Sequence, residues 1–525
     1  MSVQTLPPLA APPREIISYD PATGAEIGRA PLHAADEVYQ AVQRAREAQP
    51  AWAKLSFRER RKIVLSARKI LLDERDEIVN LISRETGKPP AEALSMEIVP
   101  TLDAIHYFAQ QAEHLLEPQK IDVGQYAFMG RSSRIVFKPL GVIGIISPWN
   151  FPLATPAQEI VMALMAGNAV VLKPSELTPL IAIKIGDIFQ RAGLPAHLLE
   201  IVTGDGSTGA ALIDARVDKI MFTGSVATGK RVAAKAAEYL TPVVLELGGK
   251  DPMIVLADAD IAIAARGAVW GAFANSGQAC ASVERCYVHE SIARNFIEQV
   301  VAETKTLRQG AGINNEVGAM SNERQLQIVS EHVEDARQQG AHILTGGRRT
   351  ANQNGLFYEP TVLTNVDHRM TIMRDETFGP VLPIMTFRTD EEAVELANDS
   401  LYGLTASVWT RNIAKGKRIA ERIHAGTTMV NEVVYTHGIA QTPWGGIKES
   451  GYGRTHGRMG LLELVSPQHI HVNRVPFLPD PWWFNYDAKA SRLFNGLARR
   501  FTTGSILRTS PLLPQIARRL FRRNG

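Results

Sequence analysis

Residues 141–152 read Gly141-Val142-Ile143-Gly144-Ile145-Ile146-Ser147-Pro148-Trp149-Asn150-Phe151-Pro152, a short apolar β-rich run that stops at a turn carrying an amide side chain. The same rhythm continues downstream. A helical stretch follows, then β-like 169–172, a helix from Pro179, β-like 199–202, a helix, 220–222, a helix from Ala227, and 243–245. Such alternation predicts right-handed βαβ units and a parallel sheet clad by helices on both faces. A second series follows Gly248, through 253–255, 286–288, a helix near 292–307 and further pairs up to Val430, and predicts a second α/β domain. Upstream, 34–54 and 56–86 carry the periodicity of amphipathic helices, the latter opening with Ser56 and Glu59 in capping-box spacing. The expected fold class is therefore α/β, with two doubly wound parallel-sheet domains.

The chain has 525 residues, 45% hydrophobic and 21% charged, enough for two or three domains with full cores and ordinary for a globular enzyme. Its two cysteines, Cys280 and Cys286, are no secreted disulfide framework, which favours a reducing compartment. The start of the chain is proline-rich, with neither a basic n-region nor an apolar h-region, so no signal peptide is expected. No apolar run approaches the roughly 18 residues of a membrane span. The expected location is cytoplasmic. Residues 481–525 hold Lys489 and eight arginines against Asp487, net +8, which leaves −5 for the rest of a chain whose formal charge is +3. Within this basic extension Trp482, Trp483, Phe484 and Tyr486 cluster, and Leu493, Phe494, Leu497 and Phe501 recur at helical spacing. After Pro514 the set Ile516, Ala517, Leu520 and Phe521 does so beside Arg518, Arg519, Arg522 and Arg523. This pattern suits either an interfacial helix at the inner face of an anionic membrane or an arm on a neighbouring subunit. The bases accompany no nucleic-acid fold, so no nucleic-acid partner is expected.

Open α/β sheets place their sites at the carboxyl ends of strands, and three chemistry-bearing residues are expected there. Asn150 offers an uncharged amide donor to an oxyanion. Glu246, in Leu245-Glu246-Leu247-Gly248-Gly249-Lys250, is a carboxylate between an apolar strand and glycines, poorly placed for solvation and so raised toward a useful base. Cys280, in Phe273-Ala274-Asn275-Ser276-Gly277-Gln278-Ala279-Cys280, supplies a thiol. A free cysteine is more often a small buried hydrophobe, which is the reading for Cys286. Nucleophile, oxyanion donor and base together describe acyl chemistry through a thioester. Gly204-Asp205-Gly206-Ser207-Thr208-Gly209 matches G-x-G-x-x-G, and Phe222-Thr223-Gly224-Ser225 with Gly229 forms another glycine-bearing strand-to-helix turn. Either could present a helix N-terminus to a pyrophosphate. His106, His437 and His456 sit at no ligand spacing, so no metal site is expected.

These segments, with Lys173-Pro174-Ser175-Glu176, Glu376-Thr377-Phe378-Gly379-Pro380-Val381 and Pro443-Trp444-Gly445-Gly446-Ile447-Lys448-Glu449-Ser450-Gly451, resemble the aldehyde dehydrogenase superfamily over residues 15–473. The resemblance implies NAD-dependent oxidation of a small-molecule aldehyde to the acid, with NADP as the alternative cofactor, and catalysis by Cys280, Asn150 and Glu246. It implies a dinucleotide held by Ser147, Pro148, Trp149, Lys173, Ser175, Glu176, Gly206, Phe222, Gly224, Ser225, Gly229, Leu247, Gly248, Glu376 and Phe378. Lys173 and Glu176 resemble the adenine-ribose ligands, and the Glu176 carboxylate would repel a 2′-phosphate. The implied domains are 15–118 with 140–248 for the dinucleotide and 249–448 for catalysis. Residues 119–139 and 466–480 would form the small sheet of a homodimer or homotetramer. The chain departs from the family at Gly453-Arg454-Thr455-His456-Gly457, where an auxiliary glutamate is common, and Trp444 stands where Phe is usual. Here, at Ser282-Val283-Glu284-Arg285 and at Gly248-Gly249-Lys250-Asp251-Pro252-Met253, it is similar to a bacterial branch with diapolycopene-dialdehyde and semialdehyde dehydrogenases. Two alternatives are a coenzyme A-acylating semialdehyde dehydrogenase, which typically lacks the Glu246 carboxylate, and a non-catalytic membrane-docked binding protein.

Overall fold

The strand-helix alternation resolves into two parallel sheets. In the computed structural model, which describes residues 15–350, 355–477, 480, 482–484, 486–501 and 514, six strands pair in the order Gly451–Tyr452, Val243–Glu246, Lys219–Thr223, Val142–Ile146, Ala169–Lys173, Leu199–Ile201. Only Gly451–Tyr452 runs antiparallel. Val142–Ile146 and Ala169–Lys173 are buried along their whole length, as apolar strands covered on both faces must be. Their register ends at Ile146 opposite Lys173, and the Ser147 N–H donates to the Lys173 carbonyl at 3.1 Å. The turn that leads to Asn150 is thereby fixed to the sheet edge.

A seven-stranded sheet runs His342–Thr345, Thr361–Thr364, Val381–Phe387, Val283–His289, Asp251–Val255, Thr405–Trp409, Thr427–Val430, antiparallel only at its first pair. Side chains alternate between its faces. Met253, Val255, Cys286 and Val288 join one core cluster, whereas Ile254 and Tyr287 join the other. Cys286 is fully buried in that core.

The N-terminal helices differ from the sequence reading in one respect. The capping box forms, with Ser56 N–H donating to Glu59 Oε2 at 2.7 Å and Glu59 N–H to Ser56 Oγ at 3.3 Å. The helical stretch 56–86 is nevertheless two helices, Phe57–Asp73 and Arg75–Thr86. The break falls at Glu74, whose carboxylate takes both Arg191 guanidinium N–H bonds, at 2.6 and 2.8 Å, and an ion pair from Lys184 at 2.9 Å. Both halves thereby pack on the helix Pro179–Arg191. Tertiary ion pairs sit at the break, where no Gly or Pro marks it.

By contacts the chain divides into two units, the described parts of Met1–Leu115 with Pro139–Ser466 and those of Leu116–Lys138 with Pro467–Gly525. The second contains most of a three-stranded sheet of Val465–Asn473, Arg131–Pro139 and Gln119–Ile121, and Arg131 meets Asp480 there at 2.6 Å. Its helix Ala488–Phe501 buries Leu493 and Leu497 with Phe494, on which the Trp482 ring stacks at 5.7 Å. Part of the expected membrane-facing stripe is thus covered by its own chain, while Phe477 and Phe484 stay exposed. Ile516, Ala517, Leu520, Phe521 and the arginines around them lie outside the described residues, as does the segment before Glu15. Among the described residues no helix is long and apolar enough to cross a membrane.

One buried ion pair positions the site. A π-helical turn, Ala93–Ile98, carries Glu97 inward. One Glu97 oxygen accepts from Lys88 Nζ at 2.7 Å, and the other accepts from the N–H groups of Leu153 and Ala154 at 2.8 and 3.0 Å, capping the helix Ala154–Met165. Lys88 Nζ also donates to the Asn150 carbonyl at 2.7 Å, and both charged side chains are fully buried. Removing one partner of such a pair strands the other charge. Lys88→Met is expected to destabilise the protein by about 3–5 kcal/mol, read in denaturant unfolding; a loss below about 1 kcal/mol would show that the pair holds nothing together.

Candidate active site

The strand-to-helix turn that ends in Asn150 faces the loop that carries Cys280, and amide bonds tie the two. Asn150 Nδ2 donates to the Gln278 carbonyl at 3.0 Å, and Asn275 Nδ2 bridges the Asn150 and Gln278 carbonyls at 3.2 and 3.0 Å. Glu92, pushed up to about 7 by burial, accepts the Asn275 N–H at 2.8 Å. Asn275, Ser276 and Gly277 are successively left-handed, with φ of 53°, 56° and 71°. A Cβ at Gly277 would lie 2.0 Å from the Gly379 carbonyl oxygen, so only glycine passes there. This tight reversal delivers Cys280, half-buried, to a cavity of about 540 Å³.

Asn150, Glu246 and Cys280 all line that cavity. Glu246 ends the strand Val243–Glu246, is 6% exposed, and neither oxygen takes a hydrogen bond from a described residue. Burial, and then the charge of Glu159, push its carboxyl well above the usual range, against a smaller opposing pull from Arg454. Burial also pushes the Cys280 thiol up, reinforced by Asp251, Glu246 and Glu376. At rest the pair is a neutral thiol beside a carboxyl group that titrates high.

Of the residues implied for the dinucleotide, Pro148, Trp149, Gly224, Ser225, Leu247, Gly248, Glu376 and Phe378 line the same cavity; Ser147, Lys173, Ser175, Glu176, Gly206, Phe222 and Gly229 do not. Lys173 Nζ and Glu176 Oε2 pair at 3.5 Å beyond the end of Ala169–Lys173. The two glycine-bearing turns differ. In the first, the Asp205 carboxylate itself caps the helix Gly206–Asp214, accepting Ser207 N–H at 2.8 Å, so a phosphate would meet a fixed negative charge. In the second, the neutral Ser225 hydroxyl caps the helix Val226–Ala237 and the turn faces the cavity. With the buried Ser147 and Thr223 hydroxyls, which no described residue bonds, this second turn fits the phosphates and hydroxyls of a dinucleotide.

Glu376 is held by the Gly249 N–H at 2.9 Å and raised to about 8, first by burial and then by Glu284. Glu284, ion-paired to Lys250 at 2.6 Å, accepts the N–H groups of Thr377 and Phe378 at 3.0 and 2.8 Å. Phe378 takes a left-handed φ of 52° and meets Trp149 edge-on at 5.5 Å. The cavity also carries apolar side chains. Met96, Val99, Phe151, Trp270, Val434 and Trp444 line it, and His437 stacks on Phe151 at 6.3 Å and packs edge-on to Trp444 and His456, each at 5.0 Å. Burial pushes His437 down to about 4 and His456 well below its usual value, so both present neutral rings. Among the described residues no cluster of His, Cys, Asp and Glu is arranged to hold a metal.

Sequence reasoning missed Lys88, Glu92, Glu97 and Glu159, which belong to no motif the reading used, and carboxylates in helical stretches read as solvated faces. Asn275 stood in the Cys280 segment without its anchoring role. Glu284 stood in a family-like segment without a role.

The aldehyde dehydrogenase family model matches residues 10–470. A 4,4'-diapolycopene aldehyde oxidase of Methylomonas is 41% identical over 92% of this chain and 90% of its own length. A Mycobacterium tuberculosis protein provisionally named as a succinate-semialdehyde dehydrogenase using NADP+ is 40% identical over 88% of this chain and 89% of its own. The crystal structure of an NAD-dependent aldehyde dehydrogenase from Sinorhizobium meliloti aligns with a TM-score of 0.85 and 37% identity, covering 90% of this chain and 93% of that one. The M. tuberculosis aldehyde dehydrogenase complexed with NAD+ aligns with a TM-score of 0.83 and 35% identity, covering 89% and 95%. Motifs, sheets and cavity agree with these likenesses: the chain belongs to the aldehyde dehydrogenase family and is an NAD(P)-dependent oxidoreductase.

Proposed function

We propose that the protein oxidises uncharged, apolar aldehydes to carboxylic acids through a thioester on Cys280. The carrying observation is one cavity that holds thiol, amide and unpaired carboxylate together with apolar side chains. The Cys280 sulfur, once deprotonated, adds to the aldehyde carbon. The Asn150 amide, within reach after release from the Gln278 carbonyl, stabilises the oxyanion together with the Cys280 N–H. Ser225, Glu376 and Phe378 would hold the dinucleotide, which would supply the acceptor for the hydride that the former aldehyde carbon loses as the adduct becomes a thioester. Glu246 then takes a proton from water, which attacks the thioester carbon and expels the thiolate. A carboxylate in this place favours hydrolysis over transfer to coenzyme A.

Substrate class follows from charge. Asp103, Glu159, Glu246 and Glu376 line the cavity and no Lys or Arg does so among the described residues. A carboxylate-bearing semialdehyde finds no countercharge there and would bury an unpaired charge. Glu176 disfavours a 2′-phosphate by like charge, so NAD is the preferred cofactor.

In the second unit, the three-stranded sheet suits a homodimer or homotetramer interface, and the exposed aromatics with the basic extension suit peripheral contact with the inner face of an anionic membrane.

Glu246→Gln is expected to keep a burst of about one NADH per site but lose steady turnover by about 100-fold or more; unimpaired turnover would remove Glu246 from deacylation. Across an aldehyde panel, kcat/KM is expected to be at least about tenfold higher for long apolar aldehydes than for succinate semialdehyde, and higher with NAD than with NADP. A preference for the charged semialdehyde would refute the reading of the cavity. Full-length protein is expected to sediment with anionic liposomes at low salt and to lose that binding when 481–525 are removed; indifference to such liposomes would assign the extension to assembly instead.

A further inference from the structure

The cavity contains a second buried carboxyl group that the mechanism above leaves idle. Thr155, Gln158, Glu159 and Met162, spaced as one face of the helix Ala154–Met165, all line it. Glu159 is 4% exposed and Glu246 6%. A buried ionised carboxyl is costly unless it is paired or hydrogen-bonded, so burial favours a proton on Glu159.

Thr455 and His456 also line the cavity, but a threonine hydroxyl is too weak a base to accept a proton, and burial weakens the His456 ring as a base. The other titratable groups on the wall are Asp103, Cys280, Glu376, Tyr435 and His437, with Arg454 acting on Glu246 from beyond the wall. Burial raises Glu159 to about 8, and Glu159 is the leading charged neighbour acting on Glu246. Two such groups titrate as a pair that holds one proton over an intermediate pH range.

We propose that Glu159 is the proton acceptor behind Glu246, taking the proton that Glu246 removes from the hydrolytic water and so restoring the ionised base. The inference rests on the reading of Glu246 as that base. In the step, a water O–H bond breaks as its oxygen bonds to the thioester carbon, the C–S bond breaks, and sulfur leaves as thiolate. The products are the carboxylic acid, the Cys280 thiolate and one proton, which passes to Glu246, then to Glu159, and then to solvent. The second carboxylate is thus supplied from the helix after Asn150.

The test is rapid mixing and steady-state turnover of Glu159→Gln, Glu159→Asp and Glu246→Gln in the full chain with NAD and an apolar aldehyde. Glu159→Gln is expected to keep the NADH burst, to slow steady turnover at least about tenfold, and to move the ascending limb of the pH profile to lower pH. The sign follows because a like charge that opposes Glu246 ionisation has been removed. Glu159→Asp should recover part of the rate and return the limb toward its original position. If Glu159→Gln leaves rate and profile unchanged while Glu246→Gln still stalls after the burst, the relay is refuted and the base reading stands. If Glu159→Gln reduces burst and turnover together without moving the limb, the role is structural and the proposal is overturned. If Glu246→Gln itself turns over normally, the base reading fails and the relay fails with it.

Discussion

The buried Lys88–Glu97 pair is the constraint on which the site depends. One ammonium group grips the Asn150 carbonyl, and one carboxylate caps the helix that begins three residues after Phe151. Without that clamp the turn at Pro148–Asn150 would keep its tie at Ser147 to the strand end, the Trp149–Phe378 contact and its amide bonds to the Cys280 loop, but no charge-assisted bond to its backbone. A buried pair is a poor source of net stability, because desolvation offsets its attraction. Its use here is geometric, since charge-assisted bonds to three backbone groups fix the amide relative to the thiol.

Burial of carboxyl groups is the second theme. It raises Glu159, Glu246, Glu376 and Cys280, which line the cavity, and Glu92 behind Asn275, and so poises them to exchange protons. With no cation on the described lining, an anionic substrate finds no partner there, while neutral His437 and the rings around it favour an apolar chain.

Much of this was legible in the sequence. Apolar runs such as 142–146 and 169–172 announce strands buried on both faces, and Cys280, Asn150 and Glu246 are set apart by glycines and by strand ends. What stayed hidden is what depends on burial. Glu97 and Glu159 sit in helical stretches where a carboxylate normally faces water, and only tertiary packing turns them inward. The break at Glu74 carries no Gly or Pro, and ion pairs to Arg191 and Lys184 sit there instead. The Gly204–Gly209 match misleads because Asp205 occupies its own helix N-terminus, a local bond that the spacing of glycines does not reveal. Of the basic extension, residues 482–484, 486–501 and 514 are described, and the helix Ala488–Phe501 turns part of its stripe onto Trp482.

The central claim is that substrate carbon becomes covalently bound to one sulfur. Acid quenching of Glu246→Gln during reaction with NAD and a long apolar aldehyde, followed by peptide mass spectrometry, tests it most directly. The account predicts that the peptide carrying Cys280 gains the aldehyde's mass less two hydrogens, as an acyl thioester, and that the peptide of Cys286 gains nothing. NADH formation with no adduct on Cys280, or with the adduct on another residue, would contradict it.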